Sequence, residues 1–553
     1  MPNPAPQPES RPKPSPVLYR NGSVYTAADP FATAMLVDGD TVAWVGSEQA
    51  ASSIADSSME IIDLRGALVA PGFVDSHAHL TETGIALDSL ALQRVSSARE
   101  LLDAVASAPG GGPVLGHGWD ETTWTDAALP SAEELERASG GRPVYLSRVD
   151  VHSALVSPSL AGTAALRGLG GYDGGALVNR AAHAAARQAT RRLPAEVLGR
   201  HQERALAEAA SHGYVALVEM GAPHIGGAED LHVARTWNTG AGEGTPTPEV
   251  LPYWGELASS EEHVRSILGQ LGPGVRGLAG DLNIDGSIGS RTAALRSGYS
   301  DAADETGSLY LSVEEAAAHL AACSLAGIQG GFHIIGDAGL DAALQALDLA
   351  AGEVGEQRIR AAGHRFEHVE MVDAAAVETL ARYSVTVSAQ PAFDAAWGGA
   401  RGLYEKRLGE RSKAMNPFAS LYSAGVPVCF GSDSPVTPLR PWSSVRACLE
   451  HHNEAERISA RAAFLGHTRA GWRAARYTNP MAGQLVPGAP ASFAVWEVEE
   501  LMVQVADGRV QSWSTDPRAR TPLLPALDTG ADPVCLQTVR DGLELFAAPA
   551  LRS

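Results

Sequence analysis

Short apolar segments separated by turns occupy both ends of the chain, and a different pattern fills the middle. The first region includes "VLYRNGSVYT", "AMLVDGDTVAWVGS" and "MEIIDLRGALVAPG", and its "DGD" turn between two apolar alternations predicts a β-hairpin. A similar pattern returns near the other end in "VPGAPASFAVWEVEELMVQVADGRVQSW". Each end alone is too short to bury both faces of a sheet, so we expect residues 17–70 and 478–550 to form one discontinuous β-sandwich domain. Two unrelated β-rich tails are the alternative.

Residues 71–477 alternate short apolar strands with helical stretches, which favours parallel βα units. We predict strands in eight segments: "GFVDSHAH", "YVALVEM", "VLPYWGEL", "GDLNIDGS", "GGFHIIGD", "HRFEHVE", "VTVSAQP" and "VPVCFGSD". Eight is the number that a (β/α)8 TIM barrel needs, so we expect an α/β fold of this kind. Two more strand-like runs, "PVLGHGWD" and "RPVYLSRVDVHSALVS", fall between barrel strands one and two. We assign them to an inserted lid subdomain, residues 86–205, and the count of eight depends on leaving them out.

The composition narrows the choice of partners. The 553 residues carry a formal net charge of −22, which argues against nucleic acid or an anionic membrane because both select for Lys and Arg. A small-molecule substrate is therefore expected, and a homodimer stays open. No uncharged apolar run reaches about 18 residues, so we expect no membrane span. Residues 1–16, "MPNPAPQPESRPKPSP", have frequent prolines and no apolar core, so we expect a disordered tail rather than a signal peptide, and a cytoplasmic location.

Histidines cluster where the predicted strands end. In "PGFVDSHAHL", residues 71–80, alternation along a strand places His77 and His79 on the same side. Two neutral imidazoles held this close are typical of a metal site, although a surface His-x-His without function is the alternative. Polar residues also end the other predicted strands: Glu219, Glu256, Asp285, His333, Asp337, His368 and Asp433. In a barrel these strand ends converge on one face, which favours a metal-dependent active site.

Several of these segments together resemble a known family. "PGFVDSHAH", "GFHIIGD", "HRFEHVE" and "GSDSPV" resemble, in order and spacing, the amidohydrolase superfamily of metal-dependent barrel hydrolases. "GHGWDE", "VDVHSALV", "DGSIGSRTAAL" and "NPFASLYSAGVPVCFGSDSPV" are similar to its YtcJ-like branch, also called the amidohydrolase 3 family, which includes N-substituted formamide deformylases. The likeness runs from about residue 17 to residue 545 and carries no information about the substrate.

The resemblance implies a role for each matching residue. His77, His79 and His333 would be metal ligands, and Asp433 would be both a ligand and the proton shuttle. His368 would be either a ligand of a second metal or a catalytic partner of the bound water. His and carboxylate ligands suit a divalent metal such as Zn²⁺. The alternatives are a helix N-cap for Asp433 and core positions for the two histidines of strands five and six.

The chain departs from the family pattern at one position. Many two-metal members bridge their ions with a carboxylated lysine at the end of strand four, and here the matching position is Asp281. The chain has only three lysines, Lys13, Lys406 and Lys413, and none lies near this strand. Because aspartate is shorter by several bonds, we do not expect Asp281 to span two ions unless the strand moves inward.

One metal per chain is therefore the favoured prediction. His77, His79, His333 and Asp433 would hold it, and His368 would hydrogen-bond the hydrolytic water or the substrate carbonyl. A two-metal site that uses Asp281 or Glu219 stays open.

The predicted lid and loops offer candidate substrate-binding residues. They are His117, Trp119 and Asp120 in "GHGWDETTW", His152 in "VDVHSA", Arg291 after strand four, and Trp397 in the long loop after strand seven. Packing inside the lid is the alternative for the first tryptophan. A salt bridge to an acidic loop is the alternative to substrate binding for the arginine.

These features predict a metal-dependent hydrolase that cleaves a C–N bond of the amide or formamide type. The metal would activate water, and Asp433 would act as general base and then general acid. A deaminase or a lactonase on the same barrel is the first alternative. A non-catalytic metal-binding scaffold is a remote one.

Overall fold

The computed structural model describes residues 15–191, 193–239, 246–504, 513–514, 522–528 and 530–552. The tail predicted at residues 1–16 therefore lies almost entirely outside the described residues. The chain divides into two compact units. One joins the two chain ends, up to Gly72 and from Asn479, and the other runs from Phe73 to Thr478.

The unit built from the chain ends is formed mainly of strands. One four-stranded sheet has the order Thr41–Gly46, Ala34–Asp38, Val17–Arg20, Glu60–Asp63. A five-stranded sheet has the order Ser23–Val24, Leu68–Pro71, Phe493–Glu497, Val534–Arg540, Leu543–Ala547. Three short strands form a third sheet, in the order Trp513–Ser514, Leu501–Gln504, Leu524–Pro525. The unit also contains the helices Glu48–Ile54 and Pro549–Arg552.

One apolar cluster draws on both of the larger sheets of this unit. It contains Met35 and Val37 from the four-stranded sheet, and Val69, Phe493 and Val495 from the five-stranded sheet. Strand Leu68–Pro71 pairs antiparallel with Phe493–Glu497, so the two chain ends share a sheet as well as a core.

The unit from Phe73 to Thr478 contains two parallel sheets. One has the order Glu249–Trp254, Tyr214–Gly221, Phe73–Ala78. The other has the order Gly277–Leu278, Gln329–Ile334, Arg365–His368, Thr386–Ala389, Val428–Phe430. Nearly all residues of these strands are buried, as expected for parallel strands covered by helices on their outer face. The parallel strands and intervening helices confirm the predicted α/β class.

The fourth parallel strand is shorter and begins earlier than the sequence suggests. Strand pairing covers only Gly277–Leu278, and the segment "GDLNIDGS" continues as irregular backbone with one parallel bridge, between Asn283 and His333. Gly280 adopts φ +87°, and a Cβ at this residue would lie 2.5 Å from Met220 Sδ. The chain therefore turns here in a conformation that only glycine fits without strain.

The two strand-like runs left out of the barrel count do form strands, in a sheet of their own. Its order is Leu177–Asn179, Ser153–Val156, Val144–Arg148, Val114–Trp119, Leu90–Ala91. The first three strands in this order pair antiparallel, and the others pair in parallel. This inserted sheet follows helix Leu80–Asp88 and precedes helix Ala195–Ser211 in the chain.

Helices fill the remainder of this unit. They are Leu80–Asp88, Ala98–Ala106, Ala132–Ala138, Pro158–Thr163, Arg180–Thr190, Ala195–Ser211, Ala228–Thr236, Glu261–Leu271, Val313–Ala326, Asp337–Val354, Glu356–Ala362, Ala374–Tyr383, Pro391–Trp397, Leu403–Leu408, Phe418–Ser423, Pro441–Glu450, Ala460–Gly466 and Arg469–Ala474. Their ends follow local sequence signals: Ser312 and Glu315 form a capping box, and Gly327 ends the same helix in the left-handed conformation. Within the described residues, no helix combines the length and apolarity needed to cross a membrane.

Candidate metal centre

The first and last parallel strands bring their ends together through one buried carboxylate. Asp75 Oδ1 accepts the backbone N–H of His77 at 3.1 Å and that of Ser432 at 2.9 Å. In addition, the N–H of Asp433 donates to the carbonyl oxygen of His77 at 2.8 Å. These bonds place Asp433, which adopts φ 54°, beside the two histidines of the first strand.

Four side chains converge on one point at these strand ends. His77 Nε2 lies 3.4 Å from Asp281 Oδ1 and 3.4 Å from Asp433 Oδ1, and His79 Nε2 lies 3.3 Å from Asp281 Oδ2 and 3.3 Å from Asp433 Oδ1. Ligand atoms about 2.0–2.1 Å from a tetrahedral zinc ion lie roughly 3.3–3.4 Å apart. His77 Nε2 and Asp281 Oδ1 are buried and have no hydrogen-bond partner. The residues present therefore fit a metal ion.

The tautomer of His77 is set by the carboxylate behind it. Its Nδ1–H donates to Glu367 Oε2 at 2.9 Å, which leaves the Nε2 lone pair for a metal. Arg365 holds the same carboxylate through bonds of 2.6 and 3.0 Å. Although burial alone would raise the pKa of Glu367, Arg365 and His77 lower it to about 2, so the carboxylate stays charged.

The carboxylates around His77 favour positive charge at this point. Burial disfavours a charge on the ring, yet Asp433, Asp281 and Glu367 together raise the pKa of His77 to about 10. The same arrangement of acids attracts a divalent cation.

His368 approaches the cluster from the sixth parallel strand. Its backbone has φ 70°, and its Nδ1–H donates to Gln390 Oε1 at 2.7 Å, so its Nε2 carries a lone pair. One ligand atom each from His368, His77 and Asp433 lie within 4.8 Å of one another. Burial lowers the pKa of His368 despite the nearby carboxylates, which keeps the ring neutral and able to coordinate.

The sequence made His333 a favoured metal ligand and Asp281 only a possible one, and the structure places the two residues differently. In the described part of the chain, the groups of ligand atoms within 4.8 Å of one another include Asp281 with His77 and His79, but none includes His333. The ring of His333 lies 4.5 Å from that of His368 and 5.0 Å from that of His152. The expectation that His333 is a ligand stays a prediction, since its buried Nδ1 also has no hydrogen-bond partner among the described residues. Asp281, the carboxylate that follows Gly280, approaches both histidines of the first strand although its side chain is short.

Glu219, the other acid considered as a ligand, has a structural partner. Its Oε2 accepts the backbone N–H of Leu80 at 2.7 Å, at the first residue of helix Leu80–Asp88. Burial raises the pKa of Glu219 to about 7, against the effect of His79. It lies in none of the candidate metal groups of the described residues, so Glu219 as a ligand stays a prediction without support from these groups.

Sequence reasoning missed two residues that hold the site in place, Gln390 and Glu367, which orient the two histidines described above. Asp285, expected only as a polar residue at a strand end, accepts three backbone N–H groups, including those of Ile335 at 2.9 Å and Gly336 at 2.7 Å. The sequence contains a pattern that could have indicated a structural role for Glu367. This residue lies two residues after Arg365 on the same face of a fully buried strand, and such a buried charge pair needs partners.

A cavity of about 560 Å³ opens beside the cluster. Its lining includes His79 and Asp281 from the candidate metal centre, His152 from the insert, and several residues of helix Arg180–Thr190. A smaller cavity, which shares His152 with the first, is lined by Asp433 and Trp397 among others. The predicted substrate-binding positions of His152 and Trp397 thus border space next to the cluster.

Four other predicted substrate-binding residues face elsewhere. Trp119 is fully buried in the core of the inserted sheet, and its Nε1–H donates to Leu146 O at 2.8 Å, so it is not a substrate wall. The three polar residues contact protein partners. Asp120 pairs with Arg148 at 2.8 Å, and Arg291 pairs with Asp301 at 2.8 Å. His117 Nε2 lies 2.9 Å from the carbonyl oxygen of Pro435. None of the four lines the two cavities beside the cluster.

The α/β fold and a buried group of histidines and carboxylates at strand ends define a metal-dependent hydrolase. The chain belongs to the amidohydrolase family, whose model matches residues 60–544. This confirms the family resemblance found in the sequence motifs.

The chain is similar to three known proteins over most of its length. The chain is 27% identical to Protein LONG AFTER FAR-RED 3 of Arabidopsis thaliana, over 87% of this chain and 86% of that protein. It is 24% identical to the putative amidohydrolase YtcJ of Bacillus subtilis (strain 168), over 86% and 93%. A solved structure of an uncharacterized metal-dependent hydrolase from Pyrococcus furiosus is 26% identical with a TM-score of 0.67, over 87% of this chain and 98% of that one. The chain therefore spans most of each relative.

Proposed function

We propose that this protein hydrolyses a C–N bond of the amide or formamide type. The observation that carries the proposal is the position of Asp433: its Oδ1 lies 3.4 Å from His77 Nε2 and 3.3 Å from His79 Nε2, and the residue also lines a cavity. A carboxylate at this point can bind a metal and also reach a water beside it. The similarity of the motifs to the branch that includes N-substituted formamide deformylases favours an amide or formamide substrate.

We propose one tightly bound ion, held by His77, His79, Asp281 and Asp433. Zn²⁺ suits this set because two imidazoles and two carboxylates at these spacings match its preferred ligands and geometry. When bound, the metal supplies Lewis acidity that activates water and polarises the scissile carbonyl. The Nε2 lone pair of His368 offers a further ligand at the same centre.

The chain's own residues carry the proton. Asp433 accepts a proton from the attacking water and then delivers it to the leaving nitrogen. Glu367 keeps His77 in the required tautomer, and Gln390 does the same for His368. Because the proton of neutral His368 points at Gln390, its other nitrogen accepts rather than donates. In this tautomer the nitrogen can bind a metal or accept a hydrogen bond from the hydrolytic water, which are two of the roles expected of His368, but it does not donate to a carbonyl oxygen.

The finer architecture belongs to the same proposal. We infer that the two parallel sheets of three and five strands are the two parts of a (β/α)8 barrel. Backbone bonds from His79 N to Ser434 O at 3.0 Å and from Arg276 N to Pro252 O at 2.8 Å run between the two sheets, one near each edge. The two larger sheets at the chain ends would form the β-sandwich, and the inserted sheet would form the lid.

A hydrolysis screen tests the proposed reaction. The protein is loaded with Zn²⁺ or Mn²⁺ and offered N-formyl, N-acyl and cyclic amides, together with lactones and amino-substituted heterocycles. We expect amine or carboxylate release from at least one amide class, abolished by a chelator and restored by metal. Turnover of lactones alone, or ammonia release from heterocycles alone, would overturn the amide assignment. Elemental analysis after dialysis should give about one metal per chain, and a stable ratio of two would overturn the single-ion centre.

A further inference from the structure

The cavity of about 560 Å³ has a buried arginine in its wall, opposite in charge to the metal ligands. Arg187 lies on helix Arg180–Thr190 and is 8% exposed. Among the described residues its side chain makes one long hydrogen bond, 3.5 Å from Nη2 to His183 Nδ1, and its buried Nε has no partner. No carboxylate of the described chain lies within ion-pair distance of it. A buried guanidinium without an anion is costly unless a ligand supplies one.

Glu82, an acid that also lines this cavity, is already engaged by a different arginine. Arg191, one turn further along, binds Glu82 with two parallel bonds, one of which is 2.7 Å from Nε to Oε1. Burial would raise the pKa of Glu82, but Arg191 and Arg187 lower it, so the carboxylate is charged and matched by Arg191. Two arginines line this cavity without an ion pair to a carboxylate of the described residues, and Arg187 is the buried one, whereas Arg180 is exposed.

The imidazoles around Arg187 add hydrogen-bonding groups without adding charge. His183 and His224 line the same cavity. Burial and, next, the charge of Arg187 lower the pKa of His224 to about 4, and the pKa of His183 is lowered for the same two reasons. Tyr145 Oη lies 2.8 Å from His183 Nε2 and fixes that ring. The two imidazoles therefore favour the neutral form, and Arg187 supplies the buried positive charge beside them.

The candidate metal centre lines the same cavity. His79 and Asp281 are lining residues together with Arg187, so one bound molecule can contact both the centre and the arginine. A volume of about 560 Å³ lies within the range of roughly 300–1,000 Å³ that is usual for small-molecule sites. Guanidinium groups favour planar anions that accept two parallel hydrogen bonds, and a carboxylate has this shape.

We propose that Arg187 binds a carboxylate of the substrate, so that the substrates are N-acyl or N-formyl amino acids and similar carboxylated amides. This inference rests on the proposed amide hydrolysis for the reaction, but not for the binding of the anion. Water's oxygen forms a bond to the acyl carbon, the C–N bond breaks, and the nitrogen leaves with the proton. A carboxylate and an ammonium group result. Arg187 takes no part in these steps and acts as a positioning and specificity residue.

Binding of an inert pair of probes tests the site without turnover. N-(phenylsulfonyl)glycine and its carboxamide have the same size and a sulfonamide in place of the scissile amide, and they differ in the carboxylate alone. Calorimetry on the metal-loaded full chain should show tighter binding of the carboxylate by roughly tenfold to a hundredfold, the scale of a charge-assisted hydrogen-bonded contact. Arg187→Gln should abolish this preference, and Arg187→Lys should retain part of it. Equal binding of both probes by the unaltered protein overturns the inference.

Arg200→Gln is the matched control, since Arg200 lies on the next helix, is 60% exposed and pairs with Glu196. It should leave the preference unchanged. A preference retained in Arg187→Gln would assign the anion to another residue and overturn the proposal. Metal content and circular dichroism establish that the variants fold. If Arg187→Gln does not fold, the probe pair on the unaltered chain and on Arg187→Lys still decides the question.

Hydrolysis separates this inference from the proposed function. N-formylphenylalanine and N-formylphenethylamine share a formamide and differ in the carboxylate. We expect kcat/KM to favour the first by about tenfold or more, with the loss in Arg187→Gln falling mainly on KM. Equal hydrolysis of both would overturn the carboxylate site and keep amide hydrolysis. A carboxylate preference in binding, without cleavage of any amide, would keep the site and overturn the proposed reaction.

Discussion

Two clusters of histidine and aspartate lie in the same unit of this protein, and they differ in how their nitrogen and oxygen atoms are satisfied. In the cluster of His77, His79, Asp281 and Asp433, the facing atoms are 3.3–3.4 Å apart, and His77 Nε2 and Asp281 Oδ1 have no hydrogen-bond partner. The cluster of Asp394, His451 and His452 has a similar composition and similarly close ligand atoms.

In the second cluster every ring nitrogen has a protein partner. His452 Nδ1 contacts Asp394, and its Nε2 donates to Ser412 O at 3.0 Å. His451 Nε2 donates to Asn416 O at 2.9 Å, and its other nitrogen accepts a backbone N–H two residues further on, at 3.0 Å. A metal would have to displace these bonds and a proton. Proximity of histidine and aspartate thus indicates a metal site only where lone pairs are left unmatched.

The largest expected difference between the clusters is in metal binding. His77→Gln should lose the tightly bound metal and with it all hydrolysis above background, because the ring supplies a ligand that no neighbour replaces. His452→Gln should keep both. Elemental analysis and activity of the two purified variants measure this. Metal loss in the His452 variant as well would erase the distinction between the clusters.

The next effect concerns the proton carrier. Asp433→Asn should lower turnover by about 10²-fold or more, the usual scale for a positioned acid–base group, and substrate binding should suffer less. Metal content is determined on the same sample, because the residue is also a proposed ligand. A variant with its metal and near-normal kcat would show that another group moves the proton.

A smaller effect on metal binding is expected for a residue that hydrogen-bonds a proposed ligand. Glu367→Gln removes the charge that orients His77, so metal affinity should fall by about 10- to 100-fold in competition with a chelator. Glu370→Gln is the control: Glu370 is an equally buried acid of the same region, and its hydrogen-bond partner is Tyr404 rather than a histidine. Equal losses in both variants would point to general destabilisation.

The smallest effect is on stability and depends on pH. The bond to Asp394 raises the pKa of His452 above its ordinary value of 6.5, so the protonated ring stabilises the folded state below about pH 6.5, and this contribution disappears as pH rises through the raised pKa. His452→Gln should therefore cost about 1 kcal/mol near pH 6 and less near pH 9. Urea unfolding at the two values measures the difference. A cost that grows with pH would contradict the assigned charge.

The sequence predicted those parts of the metal cluster that follow from the alternation of side chains along a strand and from the positions of strand ends. Strand periodicity places His77 and His79 on one side, and the strand-end position of Asp433 follows from the parallel fold. The sequence shows that the side chain of Asp281 is shorter than a carboxylated lysine, but it does not show the path of the backbone. The backbone leaves the short strand and turns at Gly280. That turn depends on contacts with a distant strand, and no local pattern reveals it.

Residues that depend on distant partners were harder to assign. Trp119 could face either side of the inserted sheet, and only the packed core shows which. Several arginines lie in "RAAHAAARQATRR", and Arg187 differs from Arg191 only because Glu82, about a hundred residues earlier in the chain, binds one and not the other. Which arginine is paired depends on contacts between residues that are far apart in the chain, and a single sequence does not reveal those contacts.

The aspartate at position 281 also bears on how the centre is assembled. A carboxylated lysine is a carbamate, formed by the reaction of a neutral amine with dissolved carbon dioxide, so a site built on it depends on an atmospheric reagent. In this chain the carboxylate is encoded, and none of the three lysines stands in its place. The proposed ligand set is therefore complete as soon as the chain folds. Reconstitution with metal should proceed at the same rate in degassed buffer and in bicarbonate.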